Sequence, residues 1–228
     1  MRPAAAVGNL RCRRKGCNTV LTYEYGNPDS PIVLIQMVDD HDLEVIDNEV
    51  AAIQNAVDSF RLVAIKADDW NRDLSPWEAP AVFGKEGFGG CAAETLAEVL
   101  KLCPDDGKTY FIGGYSLSGL FALWASYQTK VFAGVAAASP SVWFPGFAEY
   151  MKGHTTYAKT VCLSLGDKEE KVKNPVMSKV GDCIREGYAR LKEQGIHCTL
   201  EWNQGNHFRE PDIRTAKAFV WVMQNYVK

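Results

Sequence analysis

The amino-acid sequence predicts an α/β fold in which a mostly parallel central sheet carries helices on both faces. Short runs rich in β-branched residues alternate along the chain with longer amphipathic stretches, the order expected of strands joined by helices. Residues 31–38 (PIVLIQMV) are apolar at almost every position, which is typical of a strand that is covered on both faces. A sheet with one face in water would instead show alternating polar and apolar residues.

Each predicted element has a local reason in the sequence. Pro31 stands at the first position of its strand, where the missing N–H is tolerated. Pro175 fits the first turn of a long helix, and Gly195 follows the last turn of that helix. In chain order, the predicted strands are 19–25, 31–38, 61–66, 109–113, 132–138, 160–165 and 197–202, and the predicted helices are 45–59, 92–102, 117–128, 175–194 and 211–226.

The composition favours one globular domain. We expect residues 1–228 to form it, with residues 1–18 as a loosely ordered N-terminal segment. Hydrophobic residues make up 46% of the chain and charged residues 23%, an ordinary balance for a globular protein. The formal net charge of -3 gives no basic surface of the kind that binds polynucleotides, so no nucleic-acid partner is expected.

The sequence predicts neither a membrane span nor a secretion signal. No apolar run reaches the ~18–20 residues that a transmembrane helix needs. The N-terminus carries five basic residues but lacks the apolar core of a signal peptide. The seven cysteines are scattered and odd in number, which favours free thiols in a reducing compartment. We therefore expect a cytoplasmic protein that binds no membrane, and a homodimer is compatible with the sequence.

The most informative segment is residues 109–123, TYFIGGYSLSGLFAL. An apolar strand, a turn and an apolar helix follow one another, which is the context of the nucleophile elbow in the α/β-hydrolase fold. The turn needs small residues two positions before and after the nucleophile, and Gly114 and Ser118 fill these positions. The pattern predicts Ser116 as an exposed nucleophile. The backbone N–H of Leu117, at the start of the helix, is the expected first donor of an oxyanion hole.

A general base is expected after the nucleophile, since this fold orders its catalytic residues as serine, acid and histidine. Three histidines follow Ser116, namely His154, His197 and His207. His207 lies in the polar loop NQGNHF between the last strand and the last helix, where this fold places its base. We therefore expect His207 to accept the proton of Ser116.

The acid is expected in the loop after strand 160–165. That loop, GDKEEK, offers Asp167, Glu169 and Glu170, and the residues alone do not decide among them. The second oxyanion donor is expected after strand 31–38, as a backbone N–H near Asp39. The Asp and His residues there lack the spacing of a metal-binding loop, so no metal is predicted.

Two long loops, 67–90 and 139–159, are expected to shape the mouth of the site. The second leaves room for only a short helix, so no large cap domain is predicted. Trp143 would lie near the mouth, with Arg72 and Trp77 on the opposite side as substrate-binding residues. Aromatic residues in loops also plug the edges of a core, and an arginine can pair with a neighbouring carboxylate, so structural roles remain open for all three.

These motifs resemble a family of α/β-hydrolase esterases that includes enterochelin esterases and esterase D (S-formylglutathione hydrolase). The resemblance spans about residue 31 to the C-terminus, and the elbow and the Ser-Pro-Ser-x-Trp segment are its most specific parts. The matching segments are NRDLSPW (71–77), GYSLSGLFAL (114–123), ASPSVWF (138–144), GDKE (166–169) and GNH (205–207).

The resemblance implies that the acid is Glu169, three residues after a glycine, with Asp167 as the second candidate. Two departures are visible. Ser118 stands where the elbow usually has glycine, and the loop VDDH (38–41) lacks the common Asp-Gly of the family. These departures bear on the substrate more than on the catalytic class.

Together, these observations predict a serine carboxylesterase that acts on a small-molecule ester through an acyl-enzyme and needs no cofactor. Two alternatives remain. One is an acyltransferase that passes the acyl group to an alcohol or thiol other than water. The other is a catalytically inactive binding module with the same fold, which the presence of Ser116, His207 and an acidic loop disfavours.

Overall fold

A seven-stranded sheet forms the centre of the part of the chain that the computed structural model describes, residues 20–226. The strands of this sheet are β1 (Thr22–Gly26), β2 (Ile32–Val38), β3 (Arg61–Lys66), β6 (Thr109–Tyr115), β7 (Phe132–Ala138), β8 (Thr160–Gly166) and β9 (His197–Asn203). Two short strands, β4 (Glu78–Ala79) and β5 (Phe88–Gly89), pair with each other outside it. The central sheet has the order β1-β3-β2-β6-β7-β8-β9. In it, β1 pairs antiparallel with β3 and every other neighbouring pair is parallel. The prediction of a mostly parallel sheet is confirmed, while the predicted N-terminal segment 1–18 lies outside the described residues.

Helices cover both faces of this sheet. They are α1 (Asp40–Gln54), α2 (Trp70–Asp73), α3 (Ala92–Leu100), α4 (Ser116–Ala125), α5 (Phe147–Gly153), α6 (Val180–Glu193) and α7 (Pro211–Asn225). Strand β2 shows why two layers form. Val33, Ile35 and Met37 enter the core beneath α3, α4 and α6, while Leu34 and Val38 enter the core beneath α1 and α7. Because successive side chains of a strand point to opposite faces, a continuous apolar run needs cover on both sides.

Helix α1 differs from its prediction, since it begins at Asp40 rather than at residue 45 and ends at Gln54 rather than at residue 59. Asp39 and Asp42 form a capping box in which each carboxylate accepts a hydrogen bond from the backbone N–H of the other residue, at 2.8 and 3.1 Å. Carboxylates in the first turn also stabilise the helix, because they lie at the positive end of its dipole. The acidic run that resembled a loop in the sequence is therefore the helix start.

Helix α6 begins at Val180, five residues later than the pattern predicted. The side chain of Asn174 accepts hydrogen bonds from the N–H groups of Val176 and Met177, and a short 3₁₀ turn follows at Met177–Lys179. This local turn replaces the first helical turn that Pro175 suggested. The other predicted elements are present, with ends that differ by at most a few residues.

The two long loops contain short ordered elements. Residues 67–90 hold α2 and a hairpin of β4 and β5, which the sequence pattern did not reveal. Residues 139–159 hold α5 alone, so the expected absence of a large cap agrees with the described chain. Within residues 20–226, no helix has both the length and the apolar character that crossing a bilayer requires.

Candidate active site

Ser116 stands at the turn between β6 and α4, with a φ of 56°. A positive φ is strained for a residue with a side chain, and such strain is found where a nucleophile is held above a sheet. The turn is tight as well. A Cβ added to Gly114 would lie 2.0 Å from Ser118 Oγ, so no larger residue fits there without displacing the helix.

Ser118, which replaces the usual glycine of the elbow, is buried and has a partner of its own. Its hydroxyl donates a hydrogen bond of 2.8 Å to the backbone oxygen of Met37, near the end of β2. This contact ties the first turn of α4 to the strand that leads into Asp39. The change from glycine therefore adds a link between the elbow and the neighbouring β2–α1 loop.

Three side chains from three different loops form one hydrogen-bonded chain. Ser116 Oγ lies 3.0 Å from His207 Nε2, and His207 Nδ1 lies 2.7 Å from Glu169 Oε2. With Nδ1 protonated, His207 donates to Glu169 and leaves Nε2 free to accept the Ser116 proton. The residues follow β6, β8 and β9, whose carboxyl ends meet at one edge of the sheet. We refer to Ser116, His207 and Glu169 below as the triad.

The carboxylate of Glu169 is 4% exposed and accepts several hydrogen bonds. Its Oε1 accepts from the Ser139 hydroxyl at 2.8 Å, from the Gly166 N–H at 2.7 Å and from Arg214 Nη1 at 3.0 Å. Burial raises the pKa of Glu169, but the hydrogen bond and charge of His207, with the bonds from Ser139 and Gly166, outweigh it and hold the pKa below its ordinary value. Glu169 is therefore ionised at neutral pH and faces His207 as an anion.

The loop that carries His207 is fixed from two sides. The Tyr115 hydroxyl donates a hydrogen bond of 2.7 Å to the backbone oxygen of His207. Burial, helped by the charge of Glu169, raises the pKa of Tyr115 to about 12, so this donor keeps its proton. On the other side, Asp167 Oδ1 accepts a 2.8 Å hydrogen bond from the N–H of Gly205. The His207 loop is thus fixed at the backbone of both His207 and Gly205.

The other acids and histidines considered in the sequence lie elsewhere. Asp167, the second candidate for the acid, holds the Gly205 N–H instead of contacting the His207 ring. Glu170 pairs with Arg185 at 2.9 Å. His154 and His197 contact the backbone oxygens of Tyr150 and Asn225, respectively.

The segment Ser139-Pro140-Ser141 contacts the triad at both ends. Ser139, whose φ is 41°, donates to Glu169, while Ser141 Oγ lies 3.3 Å from Ser116 Oγ. The N–H of Ser141 also donates a 3.0 Å hydrogen bond to the backbone oxygen of Ser116. If Ser116 donates its proton to His207 Nε2, the Ser141 hydroxyl is placed to donate to Ser116 Oγ.

The two expected oxyanion donors have different surroundings. Leu117 lies in the first turn of α4, where backbone N–H groups have no partner within the helix. Asp39 is the residue before α1, and its N–H donates to Asp42 Oδ2 at 3.1 Å. A substrate oxygen at Asp39 would have to compete with this carboxylate. Burial, together with the charge of Asp39, raises the pKa of Asp42 to about 6.

The three residues that were expected to bind substrate make three different kinds of contact within the protein. Trp143 is 9% exposed and packs edge-on against Phe83 and Phe88. Trp77 donates a 2.9 Å hydrogen bond to the backbone oxygen of Pro145, next to α5, and so has the contacts of a packing residue. Arg72 is exposed and pairs with the neighbouring Asp73 at 2.8 Å.

A cavity of about 360 Å³ lies between the carboxyl ends of β2 and β3 and helix α3. Met37, Arg72 and Cys91 are among the residues that line it, and no member of the triad does. The reactive groups rather than this cavity therefore mark the candidate active site. Within residues 20–226, no cluster of three or more His, Cys, Asp or Glu side chains is arranged to hold a metal ion.

Sequence analysis missed the residues that support the triad, above all Arg214. This arginine is 2% exposed and lies on the same helical stripe as Ala218 and Val222, which are also buried. A charged residue on an apolar stripe indicates a buried ionic partner, and the spacing of α7 could have revealed it. No sequence pattern distinguishes Tyr115 or Ser139 in the same way.

The order of the strands, the elbow at Ser116 and the positions of the acid and the histidine after β8 and β9 are those of an α/β-hydrolase fold. Solved structures with this fold are similar to the chain. An IroE-like serine hydrolase from Shewanella oneidensis superposes with a TM-score of 0.70 at 15% identity, over 90% of this chain and 76% of that one.

Two further similar structures are named as a siderophore hydrolase and an enterobactin esterase. The siderophore hydrolase EstA from Aspergillus nidulans has a TM-score of 0.67 at 16% identity and covers 98% of both chains. The enterobactin esterase FES from Shigella flexneri has a TM-score of 0.64 at 14% identity, over 98% of this chain and 61% of that one. The sequence matches no protein-family model and no curated protein. At these identities, the likeness establishes the fold.

Proposed function

We propose that this protein is a serine hydrolase that cleaves carboxylic esters through an acyl-enzyme on Ser116. The observation that carries the proposal is the continuous hydrogen-bonded chain from Ser116 Oγ through His207 to the buried carboxylate of Glu169. A nucleophile, a base within 3.0 Å and a group that orients the base are the three parts that this chemistry needs. The names of the similar structures, which include serine hydrolases and esterases, agree with it.

In the first half of the reaction, Ser116 Oγ attacks the ester carbonyl carbon while its proton passes to His207 Nε2. Glu169 holds the ring in the required tautomer and stabilises the imidazolium that forms. The carbonyl oxygen becomes an oxyanion, for which the N–H of Leu117 is the first donor. The N–H of Asp39 is the second donor when the carbonyl oxygen replaces Asp42 as its partner.

The bond between the acyl carbon and the alcohol oxygen then breaks, and the alcohol leaves with the proton that His207 gives back, which completes the acyl-enzyme on Ser116. Water then attacks the acyl carbon and passes a proton to His207, and the acid is released as Ser116 regains its hydrogen. The acceptor is water in this proposal. An alcohol or thiol acceptor would make the same protein an acyltransferase, and product analysis with competing acceptors separates the two.

The test is hydrolysis of p-nitrophenyl acetate and butyrate by the wild type, Ser116→Ala and His207→Ala. Each substitution is expected to lower kcat by about 10³-fold or more, because it removes a group that acts in the transition state. His197→Ala is the matched control, since His197 lies at the start of β9 and contacts the backbone of Asn225. Circular dichroism establishes that each variant is folded.

A fluorophosphonate probe gives an independent result, since it labels an activated serine whatever the natural ester is. Labelling is expected in the wild type and not in Ser116→Ala. A wild type that neither hydrolyses the esters nor takes the label would contradict the proposal and would favour an inactive binding module with this fold. We further propose a small-molecule ester as the partner and the cytoplasm as the location.

A further inference from the structure

Phe208, which follows His207 directly, is an aromatic residue whose side chain is exposed to solvent. It is 87% exposed, the largest exposure of any large hydrophobic residue in the described part of the chain. Its ring meets the His207 ring edge-on, with the centroids 5.7 Å apart and an angle of 85° between the planes. Burial of a phenylalanine ring normally stabilises a fold, and here the ring beside His207 makes no such contribution.

The exposure of Phe208 is not the result of a loosely held backbone. Its N–H donates a 3.1 Å hydrogen bond to Asn206 Oδ1, and the backbone oxygen of His207 accepts from Tyr115. Earlier in the same loop, the backbone oxygen of Gln204 accepts a hydrogen bond of 3.1 Å from Arg214 Nη2. The ring is therefore presented to solvent by a loop whose backbone is fixed before any ligand arrives.

The position of Phe208 decides which part of a substrate it can meet. In the proposed reaction, His207 Nε2 gives its proton to the oxygen of the departing alcohol, so the alcohol lies beside His207 when the bond breaks. Ser141, and after it Trp143, lies on the segment that approaches Ser116 from β7 instead. Phe208 thus borders the alcohol side of the ester.

We propose that Phe208 forms an apolar surface for the alcohol part of the substrate, and that the preferred esters carry an aromatic or bulky apolar alcohol. This inference rests on the proposed ester hydrolysis and adds the substrate class to it. An aromatic ring can stack on Phe208 or meet its edge, a contact that a methyl or ethyl group cannot make. The Phe208 ring would then become buried in the complex.

The experiment compares benzyl acetate with ethyl acetate, which share their acyl group and differ in the alcohol. In the wild type, kcat/KM is expected to be higher for the benzyl ester. Phe208→Ala is expected to lower the ratio of the two values about tenfold, or about 1.4 kcal/mol, while Phe208→Tyr keeps the ratio. Tyr157→Ala is the control, since Tyr157 is 48% exposed and lies on the loop that leads into the amino end of β8.

Equal effects of Phe208→Ala on both esters, or an unchanged ratio, would overturn the inference while leaving ester hydrolysis intact. A change in oligomeric state on Phe208→Ala, measured by gel filtration, would also overturn it, because the ring would then belong to a protein interface. If the wild type hydrolysed neither ester, the proposed function itself would be contradicted.

A binding measurement separates these failures. Benzyl alcohol, the product, is titrated into Ser116→Ala with and without Phe208→Ala, and the amide shifts of the loop around His207 are followed by NMR. Shifts that require Phe208 support the surface even without turnover. Binding that does not depend on Phe208 contradicts it.

Discussion

Arg214 and Glu169 form an ion pair in which both side chains are almost completely excluded from water. Arg214 Nη1 lies 3.0 Å from Glu169 Oε1, on the carboxylate oxygen that does not face His207. The side chains are 2% and 4% exposed. Glu169 therefore divides its two carboxylate oxygens between Arg214, which lies in α7, and His207.

Breaking this pair from one side is expected to be costly, because it leaves a buried charge without its partner. Arg214→Met should lower the free energy of unfolding by about 3–5 kcal/mol, as measured by urea denaturation. Combining it with Glu169→Gln should cost clearly less than the sum of the single changes. Arg190→Met is the control, since Arg190 forms an exposed pair with Glu193 and should change stability by at most about 1 kcal/mol. If the double variant loses as much stability as the two single variants together, the two charges do not depend on each other.

The identity of the acid can be tested by comparing two carboxylates of one loop. Glu169→Ala should lower kcat for p-nitrophenyl acetate by about 10²–10⁴-fold, since His207 loses the group that fixes its tautomer. Asp167→Ala should have a much smaller effect, because Asp167 holds the Gly205 N–H and not the ring. A larger loss for Asp167→Ala would transfer the role of acid to that residue.

Glu49 should make the stability of the protein depend on pH. This residue is 3% exposed and accepts a 3.2 Å hydrogen bond from Gln36, and burial raises its pKa to about 8, with smaller contributions from the charges of Asp42 and Asp212. In the unfolded chain Glu49 loses its proton near its ordinary pKa of 4.5, whereas the folded chain keeps the proton to about pH 8. The free energy of unfolding should therefore fall as the pH rises between these values.

Replacing Glu49 by a neutral amide should remove this dependence. Glu49→Gln is expected to be more stable than the wild type at pH 8 by at least about 1–3 kcal/mol, because the amide replaces a buried carboxylate whose charge is poorly paired, and by less at pH 5. Thermal or urea unfolding at a series of pH values measures the difference. Glu44→Gln, an exposed change on the same helix, should show no such trend. A constant difference across the pH range would exclude Glu49 as the titrating group.

The tightness of the elbow predicts a clash that can be relieved. Gly114→Ala would place a Cβ 2.0 Å from Ser118 Oγ and should abolish most esterase activity while lowering the melting temperature. Adding Ser118→Gly removes the clashing oxygen and should restore part of both. Gly153→Ala is the matched control, because a Cβ there meets nothing within 4 Å. Failure of the second change to improve either property would place the conflict elsewhere in the turn.

The sequence predicted the elements that have a strong pattern of their own. The apolar run of β2, the strand–turn–helix around Ser116 and the polar loop of His207 each carry their information within a few residues. The start of α1 did not, because the acidic run resembles a loop until the carboxylates of Asp39 and Asp42 are seen to cap the helix. The hairpin of β4 and β5 was missed for a related reason, since two-residue strands are too short to show a period.

The supporting part of the site was beyond the sequence for a different physical reason. Arg214, Tyr115 and Ser139 act through contacts with residues that are far away in the chain, and 99 positions separate Arg214 from Tyr115. A local pattern does not identify the partner in such a pair, although the position of Arg214 on the apolar stripe of α7 indicates that a buried partner exists. The choice of Glu169 over Asp167 was likewise open from the residues alone, and became specific only through the resemblance to the esterase family.

The order of the triad along the chain has a consequence for biosynthesis. Ser116 precedes His207 by 91 residues, and β6 and α4 leave the ribosome long before β9 is translated. A growing chain therefore contains Ser116 before it contains His207. The hydrogen-bonded chain of Ser116, His207 and Glu169 can therefore form only after β9 and the loop that follows it have been made, so a chain that ends before β9 lacks it.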